Sequence, residues 1–171
     1  MITHPEKTYE AIQVLKLSGF TTIIAYASFK HSDYLTSLGA THILDRASVP
    51  LSDLASTVRT ISPDGLPVVY DAISSADTQV VAYDCLLNGG SLAITTAEAP
   101  SLTARRESDT ASGRDVVQFL ANSHLPGQDD IGKQVYAVLS DWLRDGVIAV
   151  CFTFIISSNN LLNSQSIAQS I

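Results

Sequence analysis

Apolar residues alternate between two spacings along this chain, and the alternation predicts its elements. Tyr9, Ile12 and Leu15 lie three apart, as on one face of a helix, and Gly19 stands where a C-terminal cap belongs. Residues 21–27 then form a nearly unbroken, β-branched apolar run, the pattern of a strand covered on both faces. Tyr34, Leu35 and Leu38 predict a second helix ending at Gly39, and His42–Asp45 a short strand. Leu51, Leu54, Val58 and Ile61 predict a third helix, closed by the turn-forming residues Ser62–Gly65 and followed by a strand over 67–73. Ser74 or Ser75 can cap a fourth helix, with Val80, Tyr83 and Leu87 facing inward and Asn88, Gly89 and Gly90 ending it. A strand over 91–96, a polar loop over 97–113 and a strand over 115–120 come next. The last helix carries Ile131, Val135, Val138, Leu139 and Trp142, with Trp142 on its core face, and stops at Gly146.

This order predicts an α/β fold, a doubly wound and mostly parallel sheet, because parallel strands need crossovers and the crossovers here are helical. Such a nucleotide-binding repeat opens with a strand and a glycine-rich turn, whose bare backbone N–H groups cradle a diphosphate. Neither precedes the first predicted helix, so the sheet is expected to lack its first, central strand. Thr3 and Glu6 have capping-box spacing instead, which occupies those N–H groups and places a negative charge where a diphosphate would sit. His4 beside them reads as a capping or solvent residue.

Composition narrows the function classes. The 171 residues, 46% of them apolar, suffice for one domain with a substantial core. A net charge of −7 with ten scattered Lys and Arg argues against nucleic acid or an anionic membrane as partner. Cys85 and Cys151 belong to no CxxC or Cys/His cluster, so no zinc site is expected and a reducing, cytoplasmic setting fits. Val147–Phe152 is too short to span a membrane, which needs about 20 apolar residues. His31, His42 and His124 have no nucleophile motif beside them and read as structural or solvated, whereas Arg105 and Arg106 with Glu107, in a polar loop, read as a solvated charge cluster.

The segment AIQVLKLSGFTTIIAYASFKHSDYLTSLGATHILDR, then VVYDAIS, LLNGGSLAI and the SHLP turn at Ser123–Pro126, resembles the cofactor-binding domain of the medium-chain dehydrogenase/reductase superfamily. The likeness covers about Ala11–Ile148 and is closest to zinc-free enoyl-reductase-like and quinone-reductase-like fungal members. It implies a Rossmann-like sheet and hydride transfer from NADPH to an activated alkene or carbonyl. It also implies that a first strand, a glycine-rich turn and a GroES-like substrate lobe are missing in front. After Ile148 the family pattern gives way to an uncharged run, so residues 1–148 read as a partial dinucleotide-binding domain and 149–171 as an atypical tail. A chain cut at both ends, its tail read through from non-coding sequence, is the expectation.

The resemblance also assigns candidate cofactor contacts. Ser28 and Lys30 follow the strand whose end meets adenosine ribose, and Arg46 follows the next one. No acidic residue directly follows Ala27, so a 2′-phosphate would meet no carboxylate there and NADPH is expected over NADH. Ala72, Ile73 and Thr96 would form the wall beside ribose and nicotinamide, although Asp71 and its neighbours read equally well as a cap and core. No catalytic residue is assigned. The expected state is a remnant oxidoreductase, inactive alone, or an interaction module that forms a homo-dimer or pairs with a full-length relative through its last strand.

Overall fold

The computed structural model describes residues 5–118 and 129–149. The Thr3–Glu6 capping box with His4, the SHLP turn with His124, the end of the strand predicted to reach Leu120, and Cys151 lie outside that range. Helix α1 (Pro5–Leu17) leads to strand β1 (Ile24–Ala27), a single 3-10 turn (Phe29–His31), α2 (Ser32–Leu38) and β2 (His42–Asp45). A further 3-10 turn (Leu51–Asp53) opens α3 (Leu54–Ile61), followed by β3 (Leu66–Asp71), α4 (Ala76–Asp84) and β4 (Leu86–Ile94). Then come α5 (Pro100–Glu107), β5 (Asp115–Gln118) and α6 (Asp129–Arg144). Gly19 and Gly39 end their helices with positive φ, as predicted.

Among the described residues all strand pairs are parallel, in two separate sheets: β1–β2, and β3–β4–β5. Helices cover both faces of β1. Ala25 and Ala27 pack with Tyr9 and Ile12 of α1 and Leu35 and Leu38 of α2, whereas Ile24 and Tyr26 pack with Leu54 and Val58 of α3. That two-sided burial is why the segment reads as a continuous apolar run. Tyr83, Leu86, Leu92, Ile94 and Leu102 form the core between α4, α5 and the three-stranded sheet.

Three predicted features differ. Asn88, Gly89 and Gly90 do not end α4, which stops at Asp84; they lie inside β4, where the register to β3 slips between Leu66 and Val68. Leu87 therefore sits on a strand. The two backbones cross closely there: a Cβ on Gly65, whose φ is +98°, would lie 2.7 Å from the Leu87 nitrogen, and one on Gly90 2.9 Å from the Leu66 carbonyl oxygen. Those glycines are needed for close approach, a role that resembles a helix stop in sequence.

The polar loop over 97–113 contains α5, with Pro100 in its first turn and Leu102 as its one buried side chain. Arg105 and Arg106 are accordingly not a solvated cluster. Arg105 Nε donates to Asp84 at 2.9 Å, and Arg106 Nη1 to Glu98 at 2.7 Å, tying α5 to α4 and to its own entry turn. Trp142 is half-buried rather than fully in the core. No helix among the described residues is long and apolar enough to cross a membrane.

Candidate functional site

The candidate residues fall into two corners, one on each sheet. At the first, Ala27 and Asp45 are register partners at the ends of β1 and β2, so the turns that follow lie side by side. Arg46 N donates to the Ala27 carbonyl at 3.1 Å, which draws Arg46 toward Ser28 and Lys30. Ser28 is half-buried, with its carbonyl accepting from His31 N at 3.0 Å. Lys30 and Arg46 are exposed, and neither side chain makes a hydrogen bond or ion pair among the described residues. Two exposed cations and a hydroxyl thus lie on adjoining turns.

Sequence adjacency missed a fourth member. Asp45 Oδ1 accepts from Phe29 N and Ala47 N, each at 3.2 Å, and Oδ2 accepts from Ser48 Oγ at 3.2 Å. The expectation that this corner holds no carboxylate fails for that reason: parallel pairing carries Asp45 to the turn after β1. The Ala47 amide first, then the Phe29 amide, the Ser48 hydroxyl and nearby Arg46, hold its carboxyl below the usual range despite some desolvation. An acidic residue ending the neighbouring strand was the available signal.

The second corner follows β3 and β4, whose ends Asp71 and Ile94 are register partners. Asp71 is fully buried; its Oδ1 accepts from Ile73 N at 3.0 Å and Ser74 N at 2.9 Å, and its Oδ2 from Thr78 Oγ1 at 2.6 Å. Ser74 is held at φ +51°, with its Oγ donating to the Asp71 carbonyl at 2.6 Å and accepting from Thr95 N at 2.8 Å. Thr96 Oγ1 donates to the Ser74 carbonyl at 2.7 Å, and buried Gln79 links Ser74, Thr96, Ala97 and Ala99. Ser75 caps α4 in a capping box with Thr78.

Ala72 is buried and Ile73 half-buried, while Thr96 is exposed with its hydroxyl already engaged. The structure thus brings Ala72 and Ile73, on the loop after β3, beside Thr96, on the loop after β4, with Asp71, Ser74 and Gln79 clamping the two loops together. No described contact joins this corner to the Ser28, Lys30 and Arg46 corner. The clamp residues were legible only as a cap, since nothing local shows that residues 71, 79 and 95 converge.

Such corners, at the carboxyl ends of parallel strands flanked by helices, are where open α/β sheets hold ligands, and the fold is of the Rossmann-like α/β class. Residues 10–130 match the family model described as zinc-binding dehydrogenase. The chain therefore belongs to the zinc-binding dehydrogenase family and is an oxidoreductase-related domain within it.

No curated protein matches the chain significantly. Solved structures similar to it include Escherichia coli quinone oxidoreductase complexed with NADPH, at TM-score 0.67 and 18% identity over 84% of this chain and 44% of that one. CurK enoyl reductase is similar at TM-score 0.63 and 22% identity, over 83% of this chain and 41% of that one. Benzyl alcohol dehydrogenase from Acinetobacter calcoaceticus is similar at TM-score 0.62 and 19% identity, over 83% and 38%. The chain thus spans about two-fifths of the length of these relatives, and the likeness establishes the fold.

Among the described residues there is no group of three or more His, Cys, Asp or Glu that could hold a metal ion.

Proposed function

We propose that this chain carries the adenosine-binding and nicotinamide-flanking parts of an NADPH-dependent oxidoreductase and that it is not catalytically competent by itself. The observation that carries the reading is the corner at β1 and β2, where Lys30 and Arg46 are exposed on the turns that follow the two strands, with the Ser28 hydroxyl. Two exposed cations and a hydroxyl suit a 2′-phosphate, whose charge they would meet by charge-assisted hydrogen bonds. Bound NADPH would supply a hydride for an activated alkene or carbonyl. Ile73 and Thr96 would flank the ribose and nicotinamide, on two neighbouring loops that Asp71, Ser74 and Gln79 hold in place. Ala72 would contribute backbone, since its side chain is buried.

One feature supports incompetence alone. No glycine lies in the turns after β1, β2, β3 or β4, so the described corners offer no close backbone cradle for a diphosphate. Fluorescence titration with NADPH and NADH tests the reading. Lys30→Ala with Arg46→Ala is expected to weaken NADPH by about tenfold or more while leaving NADH nearly unchanged. Asp45→Asn is expected to tighten NADPH, most at low salt, by removing a carboxylate beside the phosphate position. Equal losses for both nucleotides would defeat the assignment.

A second reading, an interaction module, rests on β5. Among the described strands it pairs with β4 alone, and Val117 on it is 49% exposed. A homo-dimer, or a pair with a full-length relative, would form along that edge. Absence of nucleotide binding together with a β5-dependent dimer would favour this reading.

A further inference from the structure

Between the two sheets lies an apolar cleft with β1 (Ile24, Tyr26) on one side and β3 (Val68, Tyr70) on the other. Its enclosed volume is about 110 Å³, and atom-free space of about 970 Å³ continues from it into solvent. Residues of α1 close one face, and residues of α3 and α4 the other. β1 pairs with β2 and β3 with β4, and no ladder joins β1 to β3, so the second edge of each strand has no strand partner among those described. The two sheets can therefore part without breaking a backbone hydrogen bond between them. A strand entering here would have helices on both faces and must be apolar on both.

The described chain ends next to this cleft. Ala149 N donates to Gln13 Oε1 at 2.6 Å, and Gln13 Nε2 donates to the Ala149 carbonyl at 3.3 Å. Gln13 is buried on α1 between the cleft-lining positions Ile12 and Leu15, one turn before the helix ends at Leu17. Residues 18–23 then join α1 to β1, so Ala149 is anchored at the end of the fold where β1 begins. A segment leaving Ala149 into the cleft would run parallel to β1. The next residues are Val150–Ile156, VCFTFII, in a stretch without one charged side chain from Gly146 to Ile171. Seven extended residues reach about 23 Å, enough to match the six of β3 at about 20 Å.

We propose that Val150–Ile156 occupies this cleft as a parallel strand between β1 and β3, joining the two sheets into one. Entry point, length, direction and two-sided apolarity all agree with that occupant, and the proposal does not depend on nucleotide binding. Hydrogen-exchange mass spectrometry on the full chain tests it, with the oligomeric state of each fraction measured alongside. In the monomer, amides of 150–156 are expected to exchange roughly a hundredfold or more slower than in an unstructured chain. Phe154→Asp should abolish that protection and, with it, part of the protection of β1 and β3, while β4 and β5 keep theirs. Fast exchange over 150–156 in the unmodified chain overturns the proposal, whatever the rest of the fold does. Slow exchange confined to a dimeric fraction also overturns it, because the strand would then belong to a second copy.

Discussion

Replacing Asp71 tests whether the second corner is held from beneath. Its carboxylate is fully buried and accepts from two backbone amides and one hydroxyl at 2.6–3.0 Å. Asp71→Ala leaves all three donors without that acceptor. Thr78 Oγ1 has the Ser75 carbonyl at 3.1 Å as an alternative, and half-buried Ile73 lets water reach its amide. The Ser74 amide, in a buried residue, has no substitute. A buried donor left unpaired costs about 1–3 kcal/mol, and each bond to a charged acceptor nets about 1.5–3 kcal/mol. Allowing for the two fallbacks, the loss is about 3–5 kcal/mol, a large part of the roughly 5–15 kcal/mol that stabilises a domain. With a urea dependence of about 2 kcal/mol per molar, the unfolding midpoint should fall by about 2 M. Asp71→Asn keeps an acceptor for the two amides and should cost about 1–2 kcal/mol. An alanine variant within about 0.5 kcal/mol of the parent, or equal losses for alanine and asparagine, would refute the reasoning.

Burial pushes the Cys85 thiol up to about 11 from its ordinary 9.0. A raised folded pKa contributes stability below pH 9 that is lost as pH rises through 11, here roughly 3 kcal/mol. Urea midpoints at pH 8 and 11 should show about 2 kcal/mol of that loss from Cys85, beside a part from Tyr26 and Tyr70, whose hydroxyls burial also pushes up, and Cys85→Ala should remove its share; an unchanged slope in the alanine variant would count against burial of the thiol as the cause. Gly65→Ala meets backbone at 2.7 Å in a left-handed conformation and should cost about 2–4 kcal/mol. Gly113→Ala, with φ +65° but open space around it, should cost about 1 kcal/mol, so similar melting temperatures for the two variants would disprove the close-approach argument.

What was legible in the sequence followed from local periodicity. Residues 54–61 announce α3 because Leu54 and Val58 are its buried face, and residues 24–27 announce β1 because both its faces are covered. α5 was hidden for the same reason: with only Leu102 buried, it carries no apolar period, and its one signal was Pro100 in the first turn, where a proline is tolerated. Lys30 and Arg46 could be placed together from resemblance, whereas Asp45 could not, since its acceptance from Phe29 N spans sixteen residues.

The order of helices and strands, and hence the α/β class, was determined by the sequence alone, because burial on one face or two leaves its period in the neighbouring residues. Tertiary structure decided everything that depends on two distant backbones meeting. It divided the strands into two sheets with a cleft between β1 and β3, and it turned Gly89 and Gly90 from a helix stop into part of a strand. It also set a carboxylate beside two cations at the turn after β1. Contacts of that kind arise from pairing across the chain, and no local pattern records which segments will lie side by side.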